Sequence, residues 1–195
     1  MDKIQKNLIQ SYNQNADERD KHEVADWKND LCWNFLKILK SEGRSGLIDI
    51  GAGTGVHGKF FQDKGIKVIC IDLSPAHVEK CLEKGLEAYV LNVSDLNKIG
   101  KEFDCAFALN SLLHIPIKFL PDALDNISKV LLPDSLFYWG QYGGENKEGI
   151  YEDDHQEPKR FFSHLTPLTS DVELSGIMDP PNPEVKRNVS RYNLL

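Results

Sequence analysis

The sequence predicts an α/β fold built on a doubly wound, mostly parallel sheet with helices on both faces. Two observations support this prediction: short apolar segments alternate with helical ones, and a glycine-rich loop follows the first apolar segment. Predicted strands cover residues 47–50, 67–72, 87–91, 103–109 and 136–141. Alternation of this kind is typical of parallel strands joined by right-handed crossovers. Ligands bind beyond the carboxyl ends of such strands, so functional residues are expected directly after them.

The helices of the predicted core lie between these strands. Residues 56–64 and 117–131 have helical character, and Ser74-Pro75 provides a cap and a first-turn proline for a helix between the second and third strands. Residues 1–43 are expected to form an N-terminal helical cap or lid, with a helix over 24–40. Residues 44–142 would then be the ligand-binding core, and residues 143–195 a substrate-side segment with an atypical tail.

Composition limits the classes of partner. The 195 residues carry a net charge of −7 without a run of basic residues, which disfavours nucleic acid and anionic membranes as main partners. No apolar stretch approaches the roughly 20 residues that cross a bilayer, and the polar N-terminus lacks a secretory signal. The four cysteines form no CxxC pair and are interpreted as buried free thiols. A cytoplasmic location is therefore expected.

The loop Asp49-Ile50-Gly51-Ala52-Gly53-Thr54-Gly55 lies between a strand and a helix. Glycines there allow positive φ and close approach of a ligand, and the helix N-terminus offers free N–H donors. Residues 53–58 also satisfy the GxGxxG fingerprint of NAD-binding proteins. That alternative is disfavoured, since Gly51 already ends the strand and the negative Asp49 suits an ammonium group better than a pyrophosphate.

Residues 47–61 resemble motif I of the class I S-adenosylmethionine-dependent methyltransferases, and the resemblance extends over about residues 12–163. It implies a Rossmann-like sheet of seven strands, the last antiparallel, with S-adenosylmethionine as the cofactor. The glycines would lie under the amino-acid end of the cofactor, and Asp49 would fix its ammonium group through water or backbone. The expected cofactor-binding residues are Asp49, Gly51, Ala52, Gly53, Gly55, Asp72, Leu73, Asn92, Val93 and Asn110.

Two carboxylates and an amide follow the second and third predicted strands. Asp72 could accept both ribose hydroxyls, in hydrogen bonds worth roughly 1.5–3 kcal/mol; the alternative is a carboxylate at the start of a helix. By resemblance, Asn92 would accept the adenine amino group. Asp95 is the alternative to Asn92, although it could simply cap the next helix.

The segment Asn110-Ser111-Leu112-Leu113-His114 resembles the one that follows strand four in small-molecule methyltransferases. Asn110 would face the transferred methyl group. His114 is a candidate general base because its ordinary pKa lies near neutrality. The competing interpretation, which we favour, makes His114 a packing residue.

The acceptor is expected to be a small molecule, by elimination. The segment at 110–113 does not fit the proline-rich box of amino-methylating nucleic-acid enzymes. It also lacks the clustered carboxylates of metal-dependent catechol-type enzymes, so no metal is expected. Residues 12–19 resemble the lid segment of the family, with Arg19 where tyrosine is frequent. Residues 149–162 are either a polar acceptor pocket or a solvated loop.

The tail departs from the family. Its Asp179-Pro180-Pro181-Asn182 run is interpreted as a proline loop, and strands six and seven are not recognisable in residues 164–195. They are expected to be incomplete, which would uncover the edge of the fifth strand. Three hypotheses follow: an active small-molecule methyltransferase, a non-catalytic S-adenosylmethionine-binding module or inactive relic, and, less favoured, an NAD-binding protein.

Overall fold

A computed structural model describes residues 3–142 and 147–165, together with the backbone of residues 185–191. Its sheet contains six strands in the order β3-β2-β1-β4-β5-β8, and a separate two-stranded sheet pairs β6 with β7. The strands are β1 (Gly46–Ile50), β2 (Lys67–Asp72), β3 (Glu87–Val90), β4 (Phe103–Leu109), β5 (Leu131–Tyr142), β6 (Lys147–Ile150), β7 (Phe161–His164) and β8 (Val185–Arg191). The helices are α1 (Lys3–Gln14), α2 (Ala16–Lys21), α3 (Asp26–Ser41), α4 (Val56–Asp63), α5 (Pro75–Glu83) and α6 (Leu120–Ser128).

The sheet topology confirms the predicted doubly wound fold. Strands β1 to β5 pair in parallel, and the chain reverses its direction of winding between β1 and β4, where Leu47 lies opposite Cys105. A crevice therefore opens at the carboxyl ends of β1 and β4, which is where doubly wound sheets bind ligands.

The tail contributes one antiparallel strand. Strand β8 pairs with β5 along seven residues, from Leu136 opposite Arg191 to Tyr142 opposite Val185. The expectation that the edge of the fifth strand would be uncovered was therefore wrong, because β8 takes up its backbone hydrogen-bonding groups. The proline run at 179–183 lies outside the described residues.

Two apolar clusters cover the two faces of the sheet. On one face α3 and α4 pack Phe35 and Phe61 against Phe107 of β4, with ring centroids 5.2–6.0 Å apart. On the other face α6 places Ile127 against the β1 and β4 side chains. Alternate residues of each strand enter opposite clusters, as the pleat of a strand requires.

Short sequence motifs determine where some of the elements beside the crevice begin. Ser74 caps α5 by accepting the N–H of His77 at 3.1 Å, and Pro75 occupies the first turn, as predicted. The end of β5 nearest α6 differs from prediction: the strand begins at Leu131 instead of 136, through an irregular register and a positive φ at Asp134. Within the described ranges, no helix is long and apolar enough to cross a membrane.

Candidate functional site

Two adjacent cavities open along the carboxyl ends of β1, β2 and β4. The first cavity encloses about 200 Å³ between the glycine loop and helices α1, α2 and α3. The second cavity encloses about 350 Å³ between the ends of β2 and β3 and helix α6. Six residues line both cavities: Leu8, Gly51, Asp72, Leu73, Ser111 and His114. The two cavities therefore form one elongated site of the size that small ligands occupy.

The three loop glycines have different roles. Gly51 approaches the β4 loop so closely that a Cβ there would lie 2.3 Å from Cβ of Ser111. Gly53 has a φ of +57° and open space where a Cβ would stand, so it exposes its backbone to the first cavity. Gly55 lines neither cavity: a Cβ there would lie 2.8 Å from Sγ of Cys81. Gly51 and Gly53 thus shape the site, and Gly55 packs the loop onto α5.

Asp49 lies directly beneath this loop and is 2% exposed. Its Oδ2 atom is buried and has no hydrogen-bond partner in the described part of the chain. Burial, aided by the charge of Asp72, raises the pKa of Asp49 to about 7, although a hydrogen bond from the Gly58 N–H opposes the rise. A buried carboxylate with one unpaired oxygen is costly unless it is protonated or meets a cation.

Asp72 ends β2 between the two cavities. Its Oδ2 accepts the Gly53 N–H at 2.9 Å, and its Oδ1 accepts the Ser74 N–H at 2.8 Å. Nδ1 of His77 lies 3.4 Å from Oδ1. These contacts fix the carboxylate at the junction of the cavities, where it can also accept hydrogen bonds from a ligand.

The turn after β3 supplies the far wall of the second cavity. Asn92 and Val93 line it, whereas Asp95 lines neither cavity and instead pairs with Lys98 at 2.8 Å. The Asn92 side chain accepts the Ser94 N–H at 3.1 Å and so caps the short 3₁₀ turn that follows. Of the two sequence alternatives, the structure brings Asn92 to the site and not Asp95.

The loop after β4 holds two polar groups at the first cavity. Asn110 has a φ of +55°, an uncommon conformation for a residue other than glycine, and its N–H donates to the Gly140 carbonyl at 2.7 Å. The Oδ1 of Asn110 and the Oγ of Ser111 are buried and find no partner among the residues described. Strained backbone and unpaired polar atoms are typical of ligand sites.

His114 is engaged on both sides of its ring. Its Nδ1 lies 2.7 Å from the Phe161 carbonyl, which can only accept, so Nδ1 carries the proton. Its Nε2 therefore accepts the hydroxyl proton of Tyr12 from α1. Burial, reinforced by the charges of Arg160 and Arg19, lowers the pKa of His114 to about 4. A neutral imidazole without a free lone pair supports the packing interpretation over the general base.

Arg160 connects Tyr12 to the segment between β6 and β7. It donates to both carboxylate oxygens of Asp154, at 2.8 and 2.7 Å, and its Nη1 lies 3.3 Å from the Tyr12 hydroxyl. Burial alone would raise the pKa of Asp154, but the Arg160 hydrogen bonds and charge hold it at about 2. Asp154 and Arg160 thus fix one part of segment 149–162 against Tyr12, whereas most of residues 150–157 are exposed and no residue of the segment lines either cavity.

Helices α1 and α2 cover the site and contact α5 and its N-terminal cap. The Asn13 side chain accepts the Ser74 hydroxyl proton at 2.7 Å, and Lys80 of α5 pairs with Asp17 of α2 at 2.9 Å. Sequence reasoning missed this docking, and it also missed His57 and Lys28, which line the first cavity. Burial, with the charges of Lys28 and Arg19, lowers the pKa of His57 to about 4.

Comparison with known proteins shows what this fold is similar to. Residues 47–134 match the family model described as "Methyltransferase domain". This part of the chain is similar to methyltransferase domains, and it includes the glycine loop of the site.

Individual proteins are similar to longer parts of the chain. The human thiol S-methyltransferase TMT1A is 25% identical over 128 residues, which cover 62% of this chain and 52% of the relative. The chain thus spans about half the length of that relative. The 1,6-didemethyltoxoflavin N1-methyltransferase of Burkholderia thailandensis, solved with S-adenosylhomocysteine, aligns with a TM-score of 0.62 and 22% identity over 84% of this chain and 71% of that chain. The DhpI–SAH complex aligns with a TM-score of 0.64 and 14% identity over 83% and 80% of the two chains.

Proposed function

We propose that this protein binds S-adenosylmethionine along the two cavities and transfers its methyl group to a small-molecule acceptor. The observation that carries the proposal is Asp49, a buried carboxylate with an unpaired oxygen beneath an exposed glycine loop. Such a group favours a ligand that presents a cation, and the methionine part of S-adenosylmethionine carries an ammonium. NAD places a pyrophosphate at the equivalent loop, which the Asp49 charge would repel.

The second cavity suits the adenosine part of the cofactor. Leu73, Val93 and Leu112 give it an apolar lining, and Asn92 provides an amide at its far wall. Asp72 stands where both cavities meet and is assigned to the ribose hydroxyls. Bonds of this kind to a carboxylate contribute roughly 1.5–3 kcal/mol.

The first cavity suits the methionine part and the acceptor. Gly51, Ala52 and Gly53 present backbone groups to it, and Asn110 offers an unpaired amide oxygen on the opposite side. When bound, S-adenosylmethionine supplies an activated methyl group that a nucleophile displaces in line. The residues of the chain then act by orientation, which requires the reacting atoms to be held about 3–3.5 Å apart. Among the candidates, Asn110 faces this region, whereas His114 positions Tyr12.

The parts of the chain have distinct roles in this proposal. Residues 1–43 act as the lid, residues 44–142 hold the cofactor, and residues 143–195 form a substrate-side segment whose Arg160 contacts Tyr12 of the first cavity. The four cysteines are free thiols, as expected in a reducing compartment, and this supports a cytoplasmic enzyme. The net charge of −7 supports a small-molecule acceptor over nucleic acid or a membrane surface.

Calorimetric titration with S-adenosylmethionine, S-adenosylhomocysteine and NAD tests the proposal. Micromolar binding of the first two ligands without NAD is expected. Gly53→Val and Asp72→Ala should abolish or greatly weaken that binding while the chain stays folded by circular dichroism. Asn92→Ala should weaken it and the neighbouring Asp95→Ala should not. Normal binding by both Gly53→Val and Asp72→Ala would refute the site.

A binding-competent chain without turnover on any acceptor would instead be a non-catalytic S-adenosylmethionine module. Release of S-adenosylhomocysteine during incubation with a panel of small thiols, amines and phenols separates these two functions.

A further inference from the structure

Two cations from different helices line the first cavity without forming an ion pair with any described residue: Arg19 of α2 and Lys28 of α3. The guanidinium carbon of Arg19 lies 5.3 Å from the centre of the Tyr12 ring, and Nζ of Lys28 lies 5.4 Å from that of Trp27. Burial, together with the charge of Arg19, lowers the pKa of Lys28. Two like charges that face one partly buried cavity favour an anion between them.

Negative groups at the cavity do not neutralise this pair. Asp72 belongs to the boundary with the second cavity and already accepts two backbone N–H groups. Glu23 lies beside His22 at the mouth and is exposed, as Arg19 is, and it forms no ion pair with Arg19 or Lys28. The cofactor brings one carboxylate, one ammonium and one sulfonium. With its ammonium assigned to Asp49, the carboxylate and the sulfonium balance, so the charges of Arg19 and Lys28 remain in excess. An additional anion is therefore favoured next to the methyl group.

Two of the inner histidines that line the cavity, His57 and His114, are poorly suited to remove a proton from the acceptor. His57 and His114 both have a pKa of about 4, with burial as the main cause and Arg19 contributing to each. His114 additionally has both ring nitrogens engaged. The Tyr12 hydroxyl donates to His114. His77 also lines the cavity beside Tyr12, with ring centroids 4.9 Å apart. Its ring nitrogens have no hydrogen-bond partner among the described residues, and Nδ1 lies 3.4 Å from Oδ1 of Asp72.

We propose that the acceptor carries an acidic X–H group, represented here by a thiol, and that it binds in its ionised form beside Arg19 and Lys28. This inference rests on the proposed methyltransferase function and adds the chemical class of its substrate. A thiol with a pKa of about 8.5 in water would ionise near neutral pH beside two unpaired cations. Its proton leaves to solvent on binding, so no protein base is required.

The transfer step balances without a further reactant. A lone pair of the thiolate sulfur forms the new S–CH₃ bond while the bond from the methyl carbon to the sulfonium breaks. The electron pair of the broken bond stays on the departing sulfur, which becomes the neutral thioether of S-adenosylhomocysteine. The anionic acceptor thus becomes a neutral methyl thioether, and the charge of the sulfonium disappears in the same step.

The test uses the full chain saturated with S-adenosylhomocysteine, so that it does not depend on turnover. Benzyl mercaptan is titrated at pH 7 in buffers of different ionisation enthalpy, with benzyl alcohol as the non-ionising isostere. Release of close to one proton per mercaptan bound is expected, with at least tenfold weaker binding of the alcohol. No mercaptan binding, binding without proton release, or equal binding of the alcohol would overturn the proposal.

Variants identify the cations responsible. Arg19→Gln and Lys28→Met should each weaken mercaptan binding about tenfold. Each variant should also need a higher pH for the mercaptan to bind with half of its maximal affinity. Lys21→Gln makes the same charge change on the exposed end of α2, away from the cavity, and should have no effect. If both variants weaken only S-adenosylhomocysteine binding, the cations serve the cofactor carboxylate and the proposal is wrong.

Turnover provides an independent check on whether a protein base removes the proton of the acceptor. Loss of mercaptan methylation in Glu23→Gln, with full activity in Arg19→Gln, would make Glu23 a base and overturn the proposal. A folded chain that binds no S-adenosylhomocysteine would refute the methyltransferase function itself. That failure is seen in the first titration, before any acceptor is added.

Discussion

Replacement of Gly55 by alanine should destabilise the fold through two separate effects. The residue caps the N-terminus of α4 with a φ of +81°, a conformation that L side chains rarely adopt. A Cβ there would lie 2.7 Å from Cδ1 of Leu86 and 3.3 Å from the backbone Cα of Cys81. The backbone atom limits relaxation, since α5 would have to move away from the loop.

The magnitude follows from adding the two effects. A left-handed conformation costs a non-glycine residue about 1–2 kcal/mol, and overpacking a dense core costs about 1–3 kcal/mol. Gly55→Ala should therefore lose about 2–5 kcal/mol of unfolding free energy, a large share of the roughly 5–15 kcal/mol typical of a native protein.

Two other glycines provide matched controls. Gly53 (φ +57°) and Gly85 (φ +73°) have nothing within 4 Å of the position that an alanine methyl would take, so each alanine should cost only the conformational effect of about 1–2 kcal/mol. Urea unfolding of the ligand-free variants measures these costs. S-adenosylhomocysteine titration then distinguishes the controls, because Gly53→Ala alone should lose affinity. A Gly55→Ala variant no less stable than Gly85→Ala would refute the packing argument.

Three further predictions concern buried charged and polar groups. The pKa of Asp49 in the folded protein is about 7, against an ordinary 3.8, so the free energy of unfolding should fall by up to about 4 kcal/mol as pH rises from 4 to 7. Urea unfolding of Asp49→Asn over this pH range should lack that fall. The same pH dependence in the variant and the original protein would contradict the prediction. His114→Ala should cost about 1–3 kcal/mol by leaving Tyr12 and the Phe161 carbonyl unpaired, yet change S-adenosylhomocysteine affinity little by calorimetry. Arg160→Met should cost about 3–5 kcal/mol in thermal or urea unfolding, because buried Asp154 loses its partner.

The parts of the fold that sequence predicted are those with a local signal. Strands β1, β2 and β4 are short apolar runs, and Ser74-Pro75 determines the start of α5 through its own backbone bonds. The positions of Gly51, Gly53 and Asp72 follow from the rule that ligands meet the carboxyl ends of parallel strands. Strand β8 gave no such signal, because the segment VKRNVSR is mostly polar and its pairing with β5 is made by the backbone.

The parts that sequence did not predict depend on contacts between distant segments. Tyr12 meets His114 across 102 residues and Arg160 across 148 residues. Neither pairing has a periodic pattern, and each residue taken alone fits a surface role. The lowered pKa of His114 is also a tertiary property, since it comes from burial and from arginines on two other segments. Sequence could therefore name His114 as a candidate base but could not show that its lone pair is occupied.

Tyr12 links helix α1 to Arg160, which lies between β6 and β7, and to His114. The ring lies near the guanidinium carbons of Arg19 and Arg160, at 5.3 and 5.2 Å, and the hydroxyl reaches His114. Displacement of α1 would break these contacts together and leave Arg160 and the His114 ring with unpaired polar atoms. Since buried hydrogen-bond networks are coupled more strongly than isolated pairs, Tyr12→Phe and Arg160→Met should be non-additive in stability. Helix α1 and the segment that carries Arg160 are thereby expected to dock on the site cooperatively.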